Sequence, residues 1–170
     1  RRFFDAERGV YATGSQCANA MPLVLGLVEP AERPRALAAL VSDVRDRGLT
    51  AGDVGYRYLL RALADAGRGD VIHDMNNQSE KPGYGYQLAQ GATALTEAWN
   101  ARRTSSHNHF MLGQITEWFY RDLAGLGSDP EAPGFKRAIV RPQPVSGITW
   151  ARASHESPRG RIVSAWKRTA

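Results

Sequence analysis

The chain has 170 residues, of which 42% are hydrophobic and 23% are charged, and this composition excludes disordered, collagen-like and low-complexity proteins. The net charge is +5, but acidic residues are interspersed with the basic ones, which argues against a nucleic-acid partner. No apolar stretch approaches the roughly 20 residues of a membrane-spanning helix, and the single cysteine, Cys17, excludes an internal disulfide and a cysteine-rich metal site.

Helical periodicity dominates the first part of the sequence. Apolar residues at i, i+3 and i+7 predict a helix that begins after Ser15, a candidate N-cap, and stops at Pro30. A second stripe predicts a helix that enters at Pro34 and is closed by Gly48. Two more stripes follow, and the predicted helices lie within 15–30, 34–48, 56–67 and 70–77. Short connections between them favour antiparallel neighbours.

The pattern changes after residue 77. Turn-forming residues predict loops, apolar spacing predicts two further helices, and alternation then predicts strands. In chain order these are a structured loop over 79–86, a short helix over 93–99, a polar loop over 102–108, a helix over 112–123 closed by Gly125, and strands over 135–141, 148–156 and 162–166. Residues 157–160 are expected to join the last two strands as a hairpin. Because no consensus repeats at a fixed period, the helices favour an irregular helical toroid over a solenoid.

Polar and aromatic residues concentrate in three loop segments. In a helical toroid, loops at one end of the helix pairs converge on a central cavity and commonly carry function. The segments that combine glycine with carboxylates, amides, histidines and aromatics are 51–55, 76–97 and 106–110. Aromatic faces pack against the apolar side of a pyranose, and planar polar groups bind its hydroxyls. The sequence therefore predicts a sugar site built from these loops.

These segments resemble motifs of the bacterial α-L-rhamnosidases of glycoside hydrolase family 78, in the C-terminal half of their helical barrel. The motifs occur in the family's order. They are Thr50–Gly55, similar to TGxVG; Pro82–Tyr86, similar to P-x-x-GY; Gly91–Trp99, similar to GATT-x-WE-x-W; Asn108–Gly113, similar to NH-x-x-x-G; and Glu117–Tyr120, similar to EWxY. Residues 135–166 resemble the β-sandwich domain that follows the barrel.

The resemblance implies a mainly α fold, with the C-terminal half of an (α/α)6 barrel over 1–127 and the start of a β-sandwich domain over 128–170. It implies an inverting glycoside hydrolase that cleaves terminal α-L-rhamnosides without a cofactor or metal. The partner is then a rhamnose-containing oligosaccharide or glycoside. Thr96 and Tyr84 stand where many members of the family have Trp, which leaves the sugar preference open.

The resemblance also implies roles for individual residues. Glu97 aligns with the family's general base, which holds and deprotonates the attacking water. His109 aligns with a sugar-contacting histidine, which we expect to donate a hydrogen bond to a hydroxyl. The further expected substrate contacts are Asn108, Tyr84, Tyr86, Trp99 and Asp53.

The family's general acid belongs to an acidic motif in the first half of the barrel, and no segment of this chain replaces it. We therefore expect the chain to be part of a larger protein and to be inactive without the N-terminal half of the barrel. Unpartnered apolar helix faces favour association, including homo-oligomerisation. The compartment stays open between secreted, periplasmic and cytoplasmic in a bacterium, because a secreted bacterial enzyme can also lack disulfides.

Several candidate residues also have a structural interpretation. Asp53 is suited to capping the helix that follows it, and Glu117 to the surface of an amphipathic helix. His107 and His109 have no third ligand at a spacing diagnostic of zinc. Three aromatic side chains belong either to the core or to a sugar platform, namely Tyr84, Tyr86 and Trp99.

Two other functions are compatible with the sequence alone. A polysaccharide lyase also combines a helical toroid with β-sandwiches, and Asn77, Tyr84, Arg103 and His109 are residue types that lyases place around a uronate. A non-catalytic carbohydrate-binding domain is the other alternative. A lyase is distinguished by an unsaturated product that absorbs ultraviolet light.

Overall fold

The computed structural model describes residues 3–169, which fall into two compact units divided between Gln114 and Ile115. The first unit is mainly helical, and the second carries small β-hairpins. The prediction of a mainly helical chain that changes to β structure towards its end is therefore confirmed. Within the described residues, no helix is long and apolar enough to cross a membrane.

A short antiparallel hairpin precedes the helices of the first unit. The elements in chain order are β1 (Phe4–Asp5), β2 (Val10–Tyr11), α1 (Gln16–Val24), α2 (Arg33–Arg47), α3 (Asp53–Asp65), α4 (Gly69–Asn76), α5 (Tyr84–Ala89) and a 3-10 turn over Phe110–Gln114. Helices α1 to α4 overlap the ranges that the apolar spacing predicts, although α1 is shorter than predicted. The β1–β2 hairpin escapes prediction because two-residue strands are too short to show alternation.

The core of the first unit lies between these four helices. Helix α1 packs against α2 and α3, and α3 packs against α4. Leu40, Leu63 and Ile72 are fully buried there, and each such side chain stabilises the fold by roughly 1.5–3 kcal/mol through burial. The apolar stripes read from the sequence are therefore the faces that the helices bury.

The helix ends follow local rules. Ser15 caps α1 as predicted, since its Oγ accepts a hydrogen bond from the amide of Ala18 at 3.2 Å. The prediction that this helix continues to Pro30 is wrong. It ends at Val24 because Gly26 adopts φ +68° and the Leu27 amide bonds back to the carbonyl of Pro22 at 2.9 Å, a Schellman motif.

Gly48 closes α2 as predicted. Its φ of +71° lies in the left-handed region, which favours glycine. A Cβ at this position would lie 2.8 Å from the Cβ of Lys81. The end of α2 therefore approaches the 78–82 loop closely, and only glycine fits there.

Two predictions between residues 79 and 99 are wrong. Tyr84 and Tyr86 lie in the first turn of α5, not in a loop. Residues 93–99 form no helix, because their backbone pairs with another segment instead: the Glu97 amide donates to the carbonyl of Ser106, and the carbonyl of Leu95 accepts from the amide of His109, both at 2.9 Å. Tertiary pairing thus overrides the helical propensity of this stretch.

The second unit consists of a helical segment and two antiparallel hairpins. Its elements are α6 (Ile115–Trp118), a π-helical turn over Phe119–Leu123, β3 (Leu126–Ser128), β4 (Ala138–Val140), β5 (Trp150–Ser157) and β6 (Gly160–Lys167). Strand β3 pairs with β4, and β5 pairs with β6. The predicted helix over 112–123 is helical, but it passes through 3-10, α and π forms before Gly125 ends it at φ +76°.

The predicted β5–β6 hairpin is confirmed. Ser157 pairs with Gly160, and its Oγ accepts from the Arg159 amide at 3.1 Å. The strand predicted over 135–141 is shorter, since Phe135 has φ +55° and interrupts the extended backbone. A small core of Ala124, Leu126 and Ala153 holds the unit together.

Candidate active site

A fully buried glutamine positions the loop that leads into α3. The Oε1 of Gln16 accepts from the amides of Thr50 and Ala51 at 2.9 and 3.0 Å. Its Nε2 donates to the carbonyl of Gly48 at 2.8 Å and to the carboxylate of Asp43 at 2.9 Å. The segment that resembles TGxVG is therefore fixed by a side chain 34 residues earlier in the chain.

Three aromatic rings form a cluster next to this loop. Trp99 lies edge-on to Tyr56 and Tyr84, with ring centroids 4.8 and 5.2 Å apart. The indole Nε1 donates to the carbonyl of Ala51 at 2.6 Å, and the Tyr84 hydroxyl donates to the carbonyl of Leu112. Trp99 is only 6% exposed. The structure thus places Trp99 in the core, while Tyr84 remains partly exposed.

Tyr56 lies at the centre of the aromatic cluster and is fully buried. Its hydroxyl donates to Oδ1 of Asn76 at 3.1 Å. Burial, with a smaller contribution from Tyr84, raises the pKa of Tyr56 well above 10.0. The tyrosine is therefore held in its neutral form.

Glu97 lies on the surface of an irregular loop whose backbone is fixed. Two backbone hydrogen bonds, to Ser106 and His109, hold residues 95–97 beside the segment 106–109. Within residues 3–169, the carboxylate itself accepts only a long bond of 3.4 Å, from the Ser106 amide to Oε2. The neighbouring Thr96 is fully buried and donates to the carbonyl of Ala98 at 2.7 Å. The carboxylate of Glu97 is thus exposed to solvent, while the backbone that carries it is held by hydrogen bonds.

His109 and Asp53 face each other at 3.7 Å, measured from Nε2 to Oδ2. Asp53 is the first residue of α3, and its Oδ1 accepts from the amide of Val54 at 2.9 Å. The interpretation of Asp53 as the helix cap is wrong, because Gly52 occupies that position and the chain enters α3 there. A carboxylate in the first turn still complements the helix dipole.

The remaining predicted residues stand apart from this pair. Asn108 is exposed, and its amide donates to Oγ of Ser106 at 3.2 Å. Tyr86 is partly buried in α5. Among residues 3–169, neither side chain hydrogen-bonds to another predicted site residue, and no three His, Cys, Asp or Glu side chains converge as a metal site.

Sequence patterns single out neither Gln16 nor Gln114, and they place Ser106 in a candidate loop without giving it a role. Gln114 donates from Nε2 to the carbonyl of Asp53 at 2.7 Å, and it is the last residue of the 3-10 turn that follows His109. Its position directly after the NH-x-x-x-G segment was a usable signal. The side chain of Gln16 and the backbone of Ser106 form hydrogen bonds to backbone groups of other segments. Hydrophobic periodicity describes single elements and does not predict such contacts.

Comparison with known families assigns both parts of the chain. Residues 1–123 match the bacterial α-L-rhamnosidase six-hairpin glycosidase domain, and residues 125–170 match the bacterial α-L-rhamnosidase C-terminal domain. The chain belongs to the bacterial α-L-rhamnosidase family. Every predicted site residue falls within the part that matches the rhamnosidase glycosidase domain.

Individual rhamnosidases match over nearly all of the chain. An α-L-rhamnosidase of Alteromonas sp. (strain LOR) is 32% identical over 180 residues, covering 99% of this chain. The crystal structure of Streptomyces avermitilis α-L-rhamnosidase complexed with L-rhamnose superposes with a TM-score of 0.87 at 29% identity, covering 98% of this chain and 17% of that one. The α-L-rhamnosidase from Dictyoglumus thermophilum gives 0.82 at 34% identity, covering 91% and 18%. The chain spans 17 to 19% of the length of its curated relatives.

Proposed function

We propose that this chain supplies the general base and part of the sugar pocket of an inverting α-L-rhamnosidase. In this proposal, residues 1–127 are the C-terminal half of an (α/α)6 barrel and residues 128–170 begin a β-sandwich domain. The family membership supports the hydrolase class. The substrate is a terminal α-L-rhamnoside, which agrees with the bound sugar named for the S. avermitilis relative.

The observation that carries the proposal is the placement of Glu97. Inversion requires a carboxylate that binds and deprotonates a water on the face of the sugar opposite the leaving group. Glu97 is exposed, yet its amide is fixed to the carbonyl of Ser106 at 2.9 Å. Among the residues that the structure describes, its carboxylate accepts only a 3.4 Å contact, so it is available to hold a water.

The general acid comes from another part of the enzyme. Inverting carboxyl pairs stand about 6.5–9.5 Å apart to leave room for the water. Our proposal therefore predicts that the chain of 170 residues hydrolyses no aryl α-L-rhamnoside by itself. Adding the N-terminal half of the barrel is expected to restore turnover, and turnover by the chain alone as a monomer would contradict the division of roles.

The base is tested by replacing Glu97 with Gln in a full-length rhamnosidase that carries this chain. We expect kcat to fall by at least ~10²-fold, the low end for losing a general base, with the thermal midpoint unchanged because the side chain is exposed. Glu117→Gln is the matched control, since Glu117 pairs with Arg121 at 3.5 Å on the helical segment of the second unit. Near-normal turnover by Glu97→Gln would remove Glu97 from the role.

The stereochemistry and reaction class are tested on the same protein. Proton NMR of the first-formed product is expected to show β-L-rhamnose, the inverted anomer, before mutarotation. A retained anomer would refute the inverting mechanism. An ultraviolet-absorbing unsaturated product would instead point to a lyase.

A further inference from the structure

A carboxylate faces the buried nitrogen of His109. Nε2 of His109 has no hydrogen-bond partner among the described residues, and Oδ2 of Asp53 lies 3.7 Å from it. The other oxygen, Oδ1, is occupied by the amide of Val54. Because Oδ1 is held by the first turn of α3, the direction of Oδ2 towards the imidazole is fixed.

Backbone contacts hold both members of this pair in place. The carbonyl of Asp53 accepts from Nε2 of Gln114 at 2.7 Å, and the amide of His109 donates to the carbonyl of Leu95 at 2.9 Å. Gln114 closes the 3-10 turn that begins directly after His109. The start of α3, the histidine and the loop that carries Glu97 are thereby joined through one set of contacts.

We propose that Asp53 is a positioning residue that keeps the neutral ring of His109 protonated on Nε2. The protonated nitrogen of a histidine is set by the hydrogen bond that its partner offers, and a carboxylate accepts only. A small approach of the ring closes the 3.7 Å gap to a hydrogen bond. Nδ1 then carries the lone pair.

The consequence concerns how the sugar is held. With its proton committed to Asp53, His109 accepts a hydrogen bond through Nδ1 from a hydroxyl of the substrate. This acceptor role replaces the donor role expected from the sequence. The tautomer follows from the geometry of this chain alone, whereas the sugar contact rests on the proposed rhamnosidase function.

Another histidine, in which Nδ1 and not Nε2 faces a carboxylate, provides a reference. His73 in α4 faces Oδ1 of Asp74 with Nδ1, at 3.2 Å. By the same rule its neutral ring is protonated on Nδ1. The structure therefore predicts two histidines of opposite tautomer in one protein.

Nitrogen NMR of the chain labelled with ¹⁵N-histidine distinguishes these states. Long-range ¹H–¹⁵N spectra, recorded at a pH where the rings are neutral, are expected to show His109 protonated on Nε2 and His73 on Nδ1. Loss of one signal set in His109→Gln identifies the residue. In Asp53→Ala, the His109 shifts are expected to move towards the averaged values of free histidine while those of His73 stay. Asp53→Asn, which keeps the size of the side chain, is expected to give a smaller change of the same sign.

Either of two NMR results would overturn the tautomer proposal: wild-type His109 protonated on Nδ1, or His109 shifts that do not respond to either Asp53 variant. The sugar contact is tested separately, with L-rhamnose as an inhibitor of a full-length enzyme that carries this chain. Asp53→Ala is expected to weaken inhibition roughly two- to tenfold, the range for one hydrogen bond. Unchanged inhibition together with the predicted tautomer would refute only the sugar contact. Because the NMR experiment needs no substrate, failure of the rhamnosidase proposal leaves its result unaffected.

Discussion

Two groups of side chains in the first unit include residues predicted to contact a sugar, and they differ in how their polar atoms are paired. In the aromatic cluster, each polar group has a partner: Trp99 donates to Ala51, Tyr84 to Leu112 and Tyr56 to Asn76. On the polar loops, Glu97 accepts one long bond, and Nε2 of His109 has no partner within residues 3–169. Groups that have hydrogen-bond partners hold the shape of the site. The exposed carboxylate of Glu97 is available to a ligand, whereas the buried Nε2 of His109 faces Asp53.

The contrast is sharpest within a single motif. Trp99 and Glu97 are two residues apart in the segment that resembles GATT-x-WE-x-W. The indole is buried and bonded to the loop before α3, whereas the carboxylate is exposed. The motif therefore works as a unit, in which one side chain anchors an irregular loop so that another is held at the surface.

The largest effect is expected from removing the anchor. Trp99→Ala is predicted to reduce the free energy of unfolding by about 3–5 kcal/mol, the usual cost of deleting a buried indole. Trp99→Phe keeps the ring contacts and leaves the carbonyl of Ala51 unpaired, which costs about 1–3 kcal/mol. Urea unfolding followed by circular dichroism measures both.

Trp150→Ala is the matched control, since Trp150 in β5 is 65% exposed and such surface changes stay within about 0.5 kcal/mol. A Trp99→Ala protein that keeps its stability and loses only sugar binding would contradict the assignment of Trp99 to the core. Trp99 would then belong to the sugar platform.

A smaller effect is expected from the tyrosine at the centre of the aromatic cluster. Because the folded-state pKa of Tyr56 is raised above 10.0, the unfolded chain loses this proton first as the pH rises. The stability contributed by the neutral hydroxyl is complete below pH 10 and is lost above it, at about 1.4 kcal/mol per pH unit. Urea unfolding between pH 9 and 11 is expected to show this slope.

Tyr56→Phe is expected to remove that part of the alkaline slope, at the cost of the bond to Asn76 at neutral pH. Burial also raises the pKa of Tyr11. Tyr11 therefore contributes to the alkaline slope equally in the wild type and in Tyr56→Phe. An unchanged slope in Tyr56→Phe would show that the Tyr56 hydroxyl is accessible to water.

Local chemistry made part of this fold predictable. The N-cap at Ser15, the glycine end of α2 at Gly48 and the β5–β6 turn all depend on residues within one or two turns of each other. Residues 93–99 were mispredicted as helix because alanine and leucine favour helices locally, whereas their backbone bonds run to 106–109. Contacts across long separations are invisible to such rules.

The candidate site shows the same limit. Motif resemblance proposed Glu97 and His109 as candidates, since these lie in short recognisable segments. It did not identify Gln114, whose bond to the carbonyl of Asp53 joins residues 61 positions apart. It also left the role of Trp99 open, because an aromatic residue in a motif serves equally as core or as platform until its burial is known.

The smallest effect is expected from removing the side chain of His109. His109→Ala removes one neutral hydrogen bond to the sugar, worth about 0.5–1.5 kcal/mol, so binding of L-rhamnose to a full-length enzyme that carries this chain is predicted to weaken roughly two- to tenfold. The variant also removes the contact of Nε2 with Asp53, 3.7 Å away in a partly exposed pair, so the free energy of unfolding is expected to fall by no more than about 1 kcal/mol. Isothermal calorimetry and urea unfolding of the same variant separate the two quantities. Treatment of the enzyme with a chelator provides the counter-test. Activity that is lost on chelation and restored by zinc would make His109 a metal ligand. Activity that the chelator leaves unchanged, together with weaker sugar binding in the variant, supports the role of His109 as a sugar contact.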